Sequence, residues 1–309
     1  MEKLHDTEIF RTVLESLDTG VYIVDRERRI VFWNQGAEKI TGYQSHDVMG
    51  RVSRENILAQ CNDVSCMLCG VACPLSEAIL GGKRKEIEIS LRHKAGHRVQ
   101  VRLQVIPIRD SRGSVAGVAE SFVVEHELSD LDIHLGNLAN HGCLDILTGT
   151  PNQAFTLSHL RENLTFFREY NLPFGVLWIE IGELAELQAS HGREAVDVML
   201  HVVAQTMKHT LRPDGFLGRW SENQFLAIMT YCENLDLEKA ALSVERLVKC
   251  SGIQWWDDLL TVAAAVGRTL VRQGDTVDSL LERARQPLHQ GQAGRAVAAA
   301  AATEPGFTS

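Results

Sequence analysis

The chain has 309 residues, of which 45% are hydrophobic, and its formal net charge is −9. This length suits two domains of ordinary size, and the apolar content is that of a folded protein rather than a disordered one. The negative charge argues against a general binder of nucleic acid or of anionic membranes, which would usually present a basic face. We therefore expect no nucleic-acid partner and no membrane partner.

The N-terminus, MEKLHDTEIF, has no apolar stretch behind a positive start, so it does not predict a secretory signal. The longest apolar runs, 262–266 and 296–302, are far shorter than the roughly 20 residues of a membrane helix. These features predict a cytoplasmic protein. In that compartment the seven cysteines should be reduced thiols or metal ligands rather than disulfides.

The first part of the chain is rich in short runs that are typical of β-strands. GVYIVD (20–25) and RIVFWN (29–34) flank the charged turn 26–28, and a short predicted helix follows over 37–43. Three longer runs then alternate apolar and polar residues: 85–93, 97–110 and 115–124. This alternation predicts an antiparallel sheet with one buried face.

This region resembles a PAS sensor domain over about residues 10–124. The resemblance rests on Gly20, Asp25, Trp33, Asn34, Ala37, Thr41, Gly42 and Tyr43, and on the later segments HKAGHRVQV and PIRDSRGSVAGVAESF. It implies a sensing or dimerising role, and a core that can hold haem or another small ligand. The alternative for Trp33 and Asn34 is plain packing together with a turn hydrogen bond.

The next segment predicts a helix between two domains. Leucines recur there at the a-d-a-d spacing of a short parallel coiled coil, at Leu128, Leu131, Leu135 and Leu138. Such a coil would join two sensors to two output domains in a homodimer. The alternative is an amphipathic helix packed on its own domain, because Gly136 weakens a helix. The predicted division is a sensor domain at 1–124, a helical linker at 125–143, an output domain at 144–296 and a disordered tail at 297–309.

The second part alternates predicted strands with amphipathic helices, which indicates an α/β layer. Its predicted elements are a helix at 163–171, a strand at 174–182, a helix at 193–211, a hairpin around 219–225, a helix near 236–250, a strand at 259–269 and a helix at 277–292. The expected fold class is therefore α/β plus α+β. An antiparallel sheet with flanking helices comes first, and a central sheet surrounded by helices comes second.

This second part resembles the GGDEF family, the output domain of diguanylate cyclases, over about 144–295. DILTGTPN matches the family's opening, residues 192–200 match its GHxxGDxxL segment, and RWSENQF (219–225) lies on its RxGGDEF hairpin. Members of the family join two GTP molecules into cyclic di-GMP. Mg²⁺ ions bound by family carboxylates offset the triphosphate charge in that reaction.

Most of the positions that the resemblance assigns to this chemistry have lost their charge. The family's DxD corresponds to Glu180 and Gly182, and the acid and base of its hairpin correspond to Asn223 and Gln224. An amide neutralises no cation charge and takes up no proton near neutral pH. We therefore expect a catalytically degenerate domain.

The hairpin tip has also lost its glycines, which correspond to Ser221 and Glu222, while Phe225 is retained. Glycine permits positive φ and lets a ligand approach the backbone closely, whereas Glu222 would place a bulky anion there. The alternative is an active or weakly active cyclase that uses Glu180 and Glu222. Against it, a shift of one residue along a strand usually turns the side chain to the opposite face.

Some nucleotide-binding positions are retained. The family's guanine-recognising pair corresponds to Gln188 and Asp197, and Arg295 follows Gln292, which stands at the position of a family lysine. Together with Glu180, these residues could still bind GTP and Mg²⁺. The alternative for Asp197 and Arg295 is a solvated helix face.

Four cysteines are clustered in the sensor region: Cys61, Cys66, Cys69 and Cys73. Their spacing, C-x4-C-x2-C-x3-C, would allow the thiolates to bind Zn²⁺ or an iron–sulfur cluster, which would make the protein a metal or redox sensor. The alternative is simple burial of small apolar side chains. Taken together, the sequence predicts a sensory protein whose PAS input controls a degenerate GGDEF output that binds nucleotide or a protein partner.

Overall fold

A computed structural model of the chain describes residues 6–53, 57–61, 73–124, 142–211 and 215–286. These residues fall into two compact units, which are described separately. Outside the described residues lie the four leucines of the predicted linker, the predicted tail, and Cys66, Cys69 and Arg295. Within the described ranges, no helix is both long enough and apolar enough to cross a membrane.

The first unit is an antiparallel sheet packed against short helices. Its strands are β1 (Gly20–Asp25), β2 (Ile30–Trp33), β3 (Lys85–Arg92), β4 (Arg98–Arg109) and β5 (Val115–Val124), in the spatial order β2-β1-β5-β4-β3. Its helices are α1 (Asp6–Glu15), α2 (Gln35–Thr41), α3 (Ser45–Val48) and α4 (Pro74–Gly81). The predicted strands, the short helix and the antiparallel pairing are confirmed.

Alternation along the strands builds the core of this unit, as expected for one buried face. Val101, Leu103 and Val105 of β4 are fully buried, and they share one apolar cluster with Leu75 of α4 and Ala37 of α2. The helices therefore cover the inward face of the sheet.

Asn34 joins three parts of the first unit by hydrogen bonds. Its Oδ1 accepts from the backbone N of Val21 at 2.7 Å and of Ala37 at 2.8 Å, which caps α2. Its Nδ2 donates to the carbonyl oxygens of Leu14 and Thr19. Asn34 thus has a structural role, which supports the packing and hydrogen-bond alternative.

The second unit is built on a four-stranded antiparallel sheet. Its strands are β6 (Phe174–Ile181), β7 (Phe216–Arg219), β8 (Gln224–Thr230) and β11 (Ala264–Leu270), in the order β11-β6-β8-β7. Its helices are α5 (Gln153–Tyr170), α6 (Leu184–Thr210) and α7 (Asn234–Cys250), and residues 277–286 are also helical. The short strand β10 (Asp258–Leu260) also lies in this unit, whereas the short strand β9 (Ile253–Trp255) belongs to the first unit.

Three predicted boundaries in this unit were wrong. Helix α5 begins at Gln153 rather than at 163, because Asn152 caps it by accepting from the backbone N of Phe155 at 3.0 Å. Helix α6 begins before the predicted residue 193 and bends at Gly192, whose φ of 81° is not helical. The predicted strand 259–269 is divided between β10 and β11.

Strand β6 is buried on both faces of its sheet. Val176 and Trp178 pack in a cluster with residues of α5, while the alternate residue Leu177 is also fully buried. A Cβ on Gly175 would lie 2.4 Å from Cδ1 of Leu237, so α7 packs closely against this strand. This two-sided packing fixes the end of β6, where Glu180 lies.

Candidate functional site

The predicted site lies where the end of β6 meets the hairpin of β7 and β8. In the strand pairing, Glu180 is directly opposite Gln224, and Arg219 is opposite Phe225. The strand pairing therefore places the residue that the resemblance assigns to the DxD motif beside the hairpin.

The hairpin tip is closed by its own hydrogen bonds. The carbonyl oxygen of Gln224 accepts from the backbone N of Trp220 at 2.8 Å and of Ser221 at 3.2 Å, and Ser221 Oγ donates to Gln224 Oε1 at 3.0 Å. Neither Ser221 nor Glu222 has a positive φ. The turn therefore has no conformational need for the two glycines that these residues replace.

Asn223 is bonded to the end of β6 through both its backbone and its side chain. The backbone N of Ile181 donates to the carbonyl oxygen of Asn223 at 2.8 Å. In return, Asn223 Nδ2 donates to the carbonyl oxygen of Ile181 at 3.1 Å. This second bond needs a donor, and an ionised aspartate at the same place would present oxygens alone.

Arg219 joins the hairpin to the opening loop of the second unit. Its Nε donates to the carbonyl oxygen of Ser221 at 3.1 Å, and its Nη2 donates to that of Glu222 at 2.8 Å. Its Nη1 forms an ion pair with Asp145 Oδ1 at 2.9 Å. The guanidinium therefore holds the tip and the loop in one arrangement.

Asp145 is a residue of the site whose role the local sequence does not indicate. Its Oδ1 also accepts from the backbone N and the Oγ1 of Thr148, at 2.9 Å and 2.7 Å. Burial by itself raises the pKa of Asp145, but the hydrogen bonds from Thr148 and Arg219 outweigh it and leave the pKa below its ordinary value. The sequence held both motifs, DILTGTPN and RWSENQF, but it did not show that they meet.

The other nucleotide-binding candidates are placed along β6 and α6. Glu180 is half-buried at the end of β6, and Gln188 is exposed on α6 before the bend at Gly192. Asp197 follows the bend, with Oδ2 at 3.9 Å from Nε of an exposed arginine, Arg193. An exposed ion pair of this kind contributes little to stability.

The cysteine cluster is described only in part. Cys61 and Cys73 are buried in the first unit, and Cys66 and Cys69 fall outside the described residues. Within the described ranges, no group of three or more His, Cys, Asp or Glu side chains is placed to hold a metal ion. The four-cysteine site stays a prediction. The expectation that all cysteines are thiols or metal ligands was wrong for Cys250, which is disulfide-bonded.

The comparison with protein families identifies both domains. A model of the family described as "Diguanylate cyclase, GGDEF domain" matches residues 143–296, and a model of the PAS fold matches residues 8–120. The chain is therefore a PAS–GGDEF protein, and the family resemblance found in its sequence is confirmed.

Two curated bacterial proteins match over most of this chain. It is 24% identical over 277 residues to "Probable diguanylate cyclase DgcE" of Escherichia coli K12, which covers 87% of this chain and 23% of that protein. It is also 24% identical over 246 residues to "Cyclic di-GMP phosphodiesterase PdeB" of Shewanella oneidensis, which covers 77% of this chain and 25% of that protein. The chain thus spans about a quarter of the length of these relatives.

Among solved structures, the chain is similar to the diguanylate cyclase SiaD from Pseudomonas aeruginosa, crystallised in complex with its activator SiaC. The identity is 24%, and the match covers 53% of this chain and 64% of that chain with a TM-score of 0.49.

Proposed function

We propose that this protein is a cytoplasmic, homodimeric regulator in cyclic di-GMP signalling, in which the PAS domain controls a GGDEF domain that has lost cyclase catalysis. The GGDEF domain then acts by binding a nucleotide or a protein partner. The observation that carries the proposal is the hydrogen bond from Asn223 Nδ2 to the carbonyl oxygen of Ile181. It places an N–H donor where the family resemblance assigns a cation-binding carboxylate.

The donor set around this point does not fit Mg²⁺. Mg²⁺ prefers anionic oxygens in near-octahedral geometry. The amide of Asn223 is used to close the sheet end, and the amide oxygen of Gln224 accepts from Ser221 Oγ. Glu180 keeps a carboxylate, but Gly182 has no side chain to supply the second one. Loss of such ligands typically lowers turnover by orders of magnitude.

Glu222 is the residue on which the rival cyclase function would depend. Its side chain is exposed at the hairpin tip, and Arg219 holds its backbone carbonyl at 2.8 Å. Glu180, in contrast, lies inside the sheet opposite Gln224. The tip is thus fixed by bonds that serve the hairpin itself, which favours loss of catalysis over replacement of the missing carboxylate.

The test is a cyclase assay on the full chain with GTP and Mg²⁺, with the product detected by mass spectrometry. We expect no cyclic di-GMP from the wild-type protein. The matched variant is Glu180→Gln, which removes the carboxylate retained from the DxD motif while keeping the shape of its side chain. Product formation that this variant abolishes would overturn the proposal and establish the cyclase function.

A thermal-shift experiment decides how the GGDEF domain acts. A ligand that binds the folded state raises the melting temperature, by an amount that grows with its concentration. If GTP is the ligand, GTP should stabilise the wild-type chain, and Asp197→Ala should reduce the shift while the exposed control Asp278→Ala leaves it unchanged. A wild-type chain with no shift would assign the domain to protein binding.

A further inference from the structure

The core of the PAS unit contains a fully buried carboxyl group. On β5 the inward-facing positions are Val118, Glu120 and Phe122, and Glu120 has 0% of its surface exposed. Acidic side chains are almost never fully buried unless they are paired, so Glu120 requires a physical explanation. The alternation of VAGVAESFVV already placed it on the inward face.

One oxygen of this carboxyl group is well paired. Glu120 Oε2 accepts from the hydroxyl of Tyr22, which lies directly opposite on β1, and from Gln60 Nε2 at 3.0 Å. The other oxygen, Oε1, has no hydrogen-bond partner among the described residues. The same is true of Oε1 of Gln60, a residue that is only 3% exposed. The two buried oxygens that flank the hydrogen bond between Gln60 and Glu120 therefore have no partner in the described chain.

A buried donor accompanies them. Arg28 lies in the turn between β1 and β2, is 7% exposed and has a φ of 66°, which is uncommon for a residue with a side chain. Its Nη2 donates to Cys73 Sγ, while its Nε has no partner among the described residues. One N–H of this buried guanidinium therefore has no hydrogen-bond acceptor among the described residues.

These groups act on one another electrostatically. Burial raises the pKa of Glu120 to about 7, and hydrogen bonds from Tyr22 and Gln60 oppose that rise. The charges of Cys73 and Arg28 also affect Glu120, with Cys73 raising its pKa and Arg28 lowering it. Residues from two strands, a turn and a loop therefore form one cluster around the carboxyl group.

Native proteins leave few buried polar atoms without partners, because each costs the free energy of desolvation with no bond in return. Here two such oxygens flank the hydrogen bond between Gln60 and Glu120, and the buried Nε of Arg28 in the same unit is a donor without a partner among the described residues. Their complement is a group with two N–H donors beside one carbonyl oxygen. A primary carboxamide is the smallest common group of that kind.

We propose that Gln60, Glu120 and Arg28 form a binding site for a small molecule that carries a primary carboxamide. The amide NH₂ donates to the two free oxygens of Glu120 and Gln60, and the amide carbonyl accepts from Arg28 Nε. A carboxylate of the same shape is rejected, because it has no N–H donor and would face Glu120. The site gives the PAS input a ligand chemistry, and it rests on the proposed function only for the link between binding and output.

The test uses the full chain and trifluoroacetamide, followed by ¹⁹F NMR at a pH above about 7, where Glu120 is ionised. The matched control is trifluoroacetate, which has the same shape but no N–H donor. We expect saturable binding of the amide, with a dissociation constant on the order of millimolar for so small a probe, and no saturable binding of the carboxylate. Equal responses to the two probes, or no response to the amide, would overturn the proposal without affecting the cyclase result.

Variants locate the binding in the cluster. Glu120→Gln keeps the side-chain volume but replaces an acceptor oxygen by a donor, and we expect it to weaken amide binding by about tenfold or more. Gln60→Leu removes the second acceptor and should also weaken binding of the amide. The control is Glu88→Gln, which makes the same change at an exposed position of β3 and should bind like the wild type.

Circular dichroism tests whether each variant is folded. If a variant is not folded, the comparison of amide and carboxylate binding to the wild-type protein decides whether the site exists. Wild-type affinity in folded Glu120→Gln would contradict the proposal. So would a crystal structure grown with the amide in which the three atoms contact ordered water only.

Discussion

Two regions of this protein are rich in polar side chains, and they differ in how those side chains are bonded. In the GGDEF hairpin, Arg219, Ser221 and Asn223 direct their donors to nearby backbone or side-chain oxygens. In the PAS core, Glu120 and Gln60 each keep an oxygen without a partner in the described chain. The hairpin, where the family resemblance places an active site, is bonded like a structural turn, whereas the PAS core contains buried oxygens that no described residue satisfies.

The largest effect is expected at Asn34, where a buried polar side chain of the PAS unit is fully bonded. Asn34→Ala removes four hydrogen bonds and leaves buried backbone groups of Val21 and Ala37 without their acceptor. We expect the free energy of unfolding of this unit to fall by about 4 kcal/mol. Hydrogen exchange of the β1 and α2 amides measures it, and a loss below about 1 kcal/mol would contradict the role assigned to Asn34.

The second prediction concerns the pH dependence of the PAS unit. The pKa of Glu120 is raised from 4.5 to about 7 in the folded state, so the folded protein binds the proton more tightly than the unfolded chain. The stability that this tighter proton binding adds to the folded state is fully present below about pH 4.5. It is lost as the pH rises through about 7, and the total is about 3 kcal/mol. Burial lowers the pKa of His93 in the same unit. Its contribution therefore makes the stability rise with pH, up to the ordinary histidine pKa of 6.5, and so opposes the contribution of Glu120.

The comparison of wild type with Glu120→Gln isolates the contribution of the carboxyl group, because His93 is present in both proteins. We expect the difference in stability between the two proteins to change with pH between 4.5 and about 7. Thermal unfolding of the first unit across this range measures it. A difference that is constant with pH would show that Glu120 does not titrate there.

A smaller effect is expected from Arg219→Met in the hairpin. This change removes the bonds to the carbonyl oxygens of Ser221 and Glu222 and leaves the carboxylate of Asp145 without its ion-pair partner. We expect the second unit to lose about 2 kcal/mol of stability in chemical denaturation. The control Arg193→Met breaks an exposed ion pair and should change stability by less than about 0.5 kcal/mol.

The smallest effect tests the structural role of Asn223. Asn223→Asp replaces the donor that bonds to the Ile181 carbonyl by a second oxygen, and we expect a loss of about 1 kcal/mol. The proposed loss of the cation ligands at Gly182 predicts that this loss of stability is the same with and without Mg²⁺. Stabilisation of this variant by Mg²⁺ would show that the hairpin still contains a cation site.

The sequence by itself determined most of the strands, the two domains and the uncharged residues of the hairpin. Strand positions follow from the alternation of apolar and polar residues, and the difference between an amide and a carboxylate is a property of single residues. Asparagine at 223 and glutamine at 224 were therefore sufficient to predict a degenerate motif. The start of α5 was also written in the sequence, at the Asn152 cap, but the prediction placed it too late.

Only the tertiary structure decided which polar groups meet. Arg219 and Asp145 are 74 residues apart, Glu120 is 60 residues from Gln60 and 98 from Tyr22, and no local pattern relates such positions. Sequence alternation placed Glu120 on the inward face, but its partners depend on the β1–β5 pairing and on the loop that brings Gln60 over the sheet. Whether a polar side chain is satisfied depends on the atoms within about 3 Å of it, and in a folded chain those atoms come from distant segments.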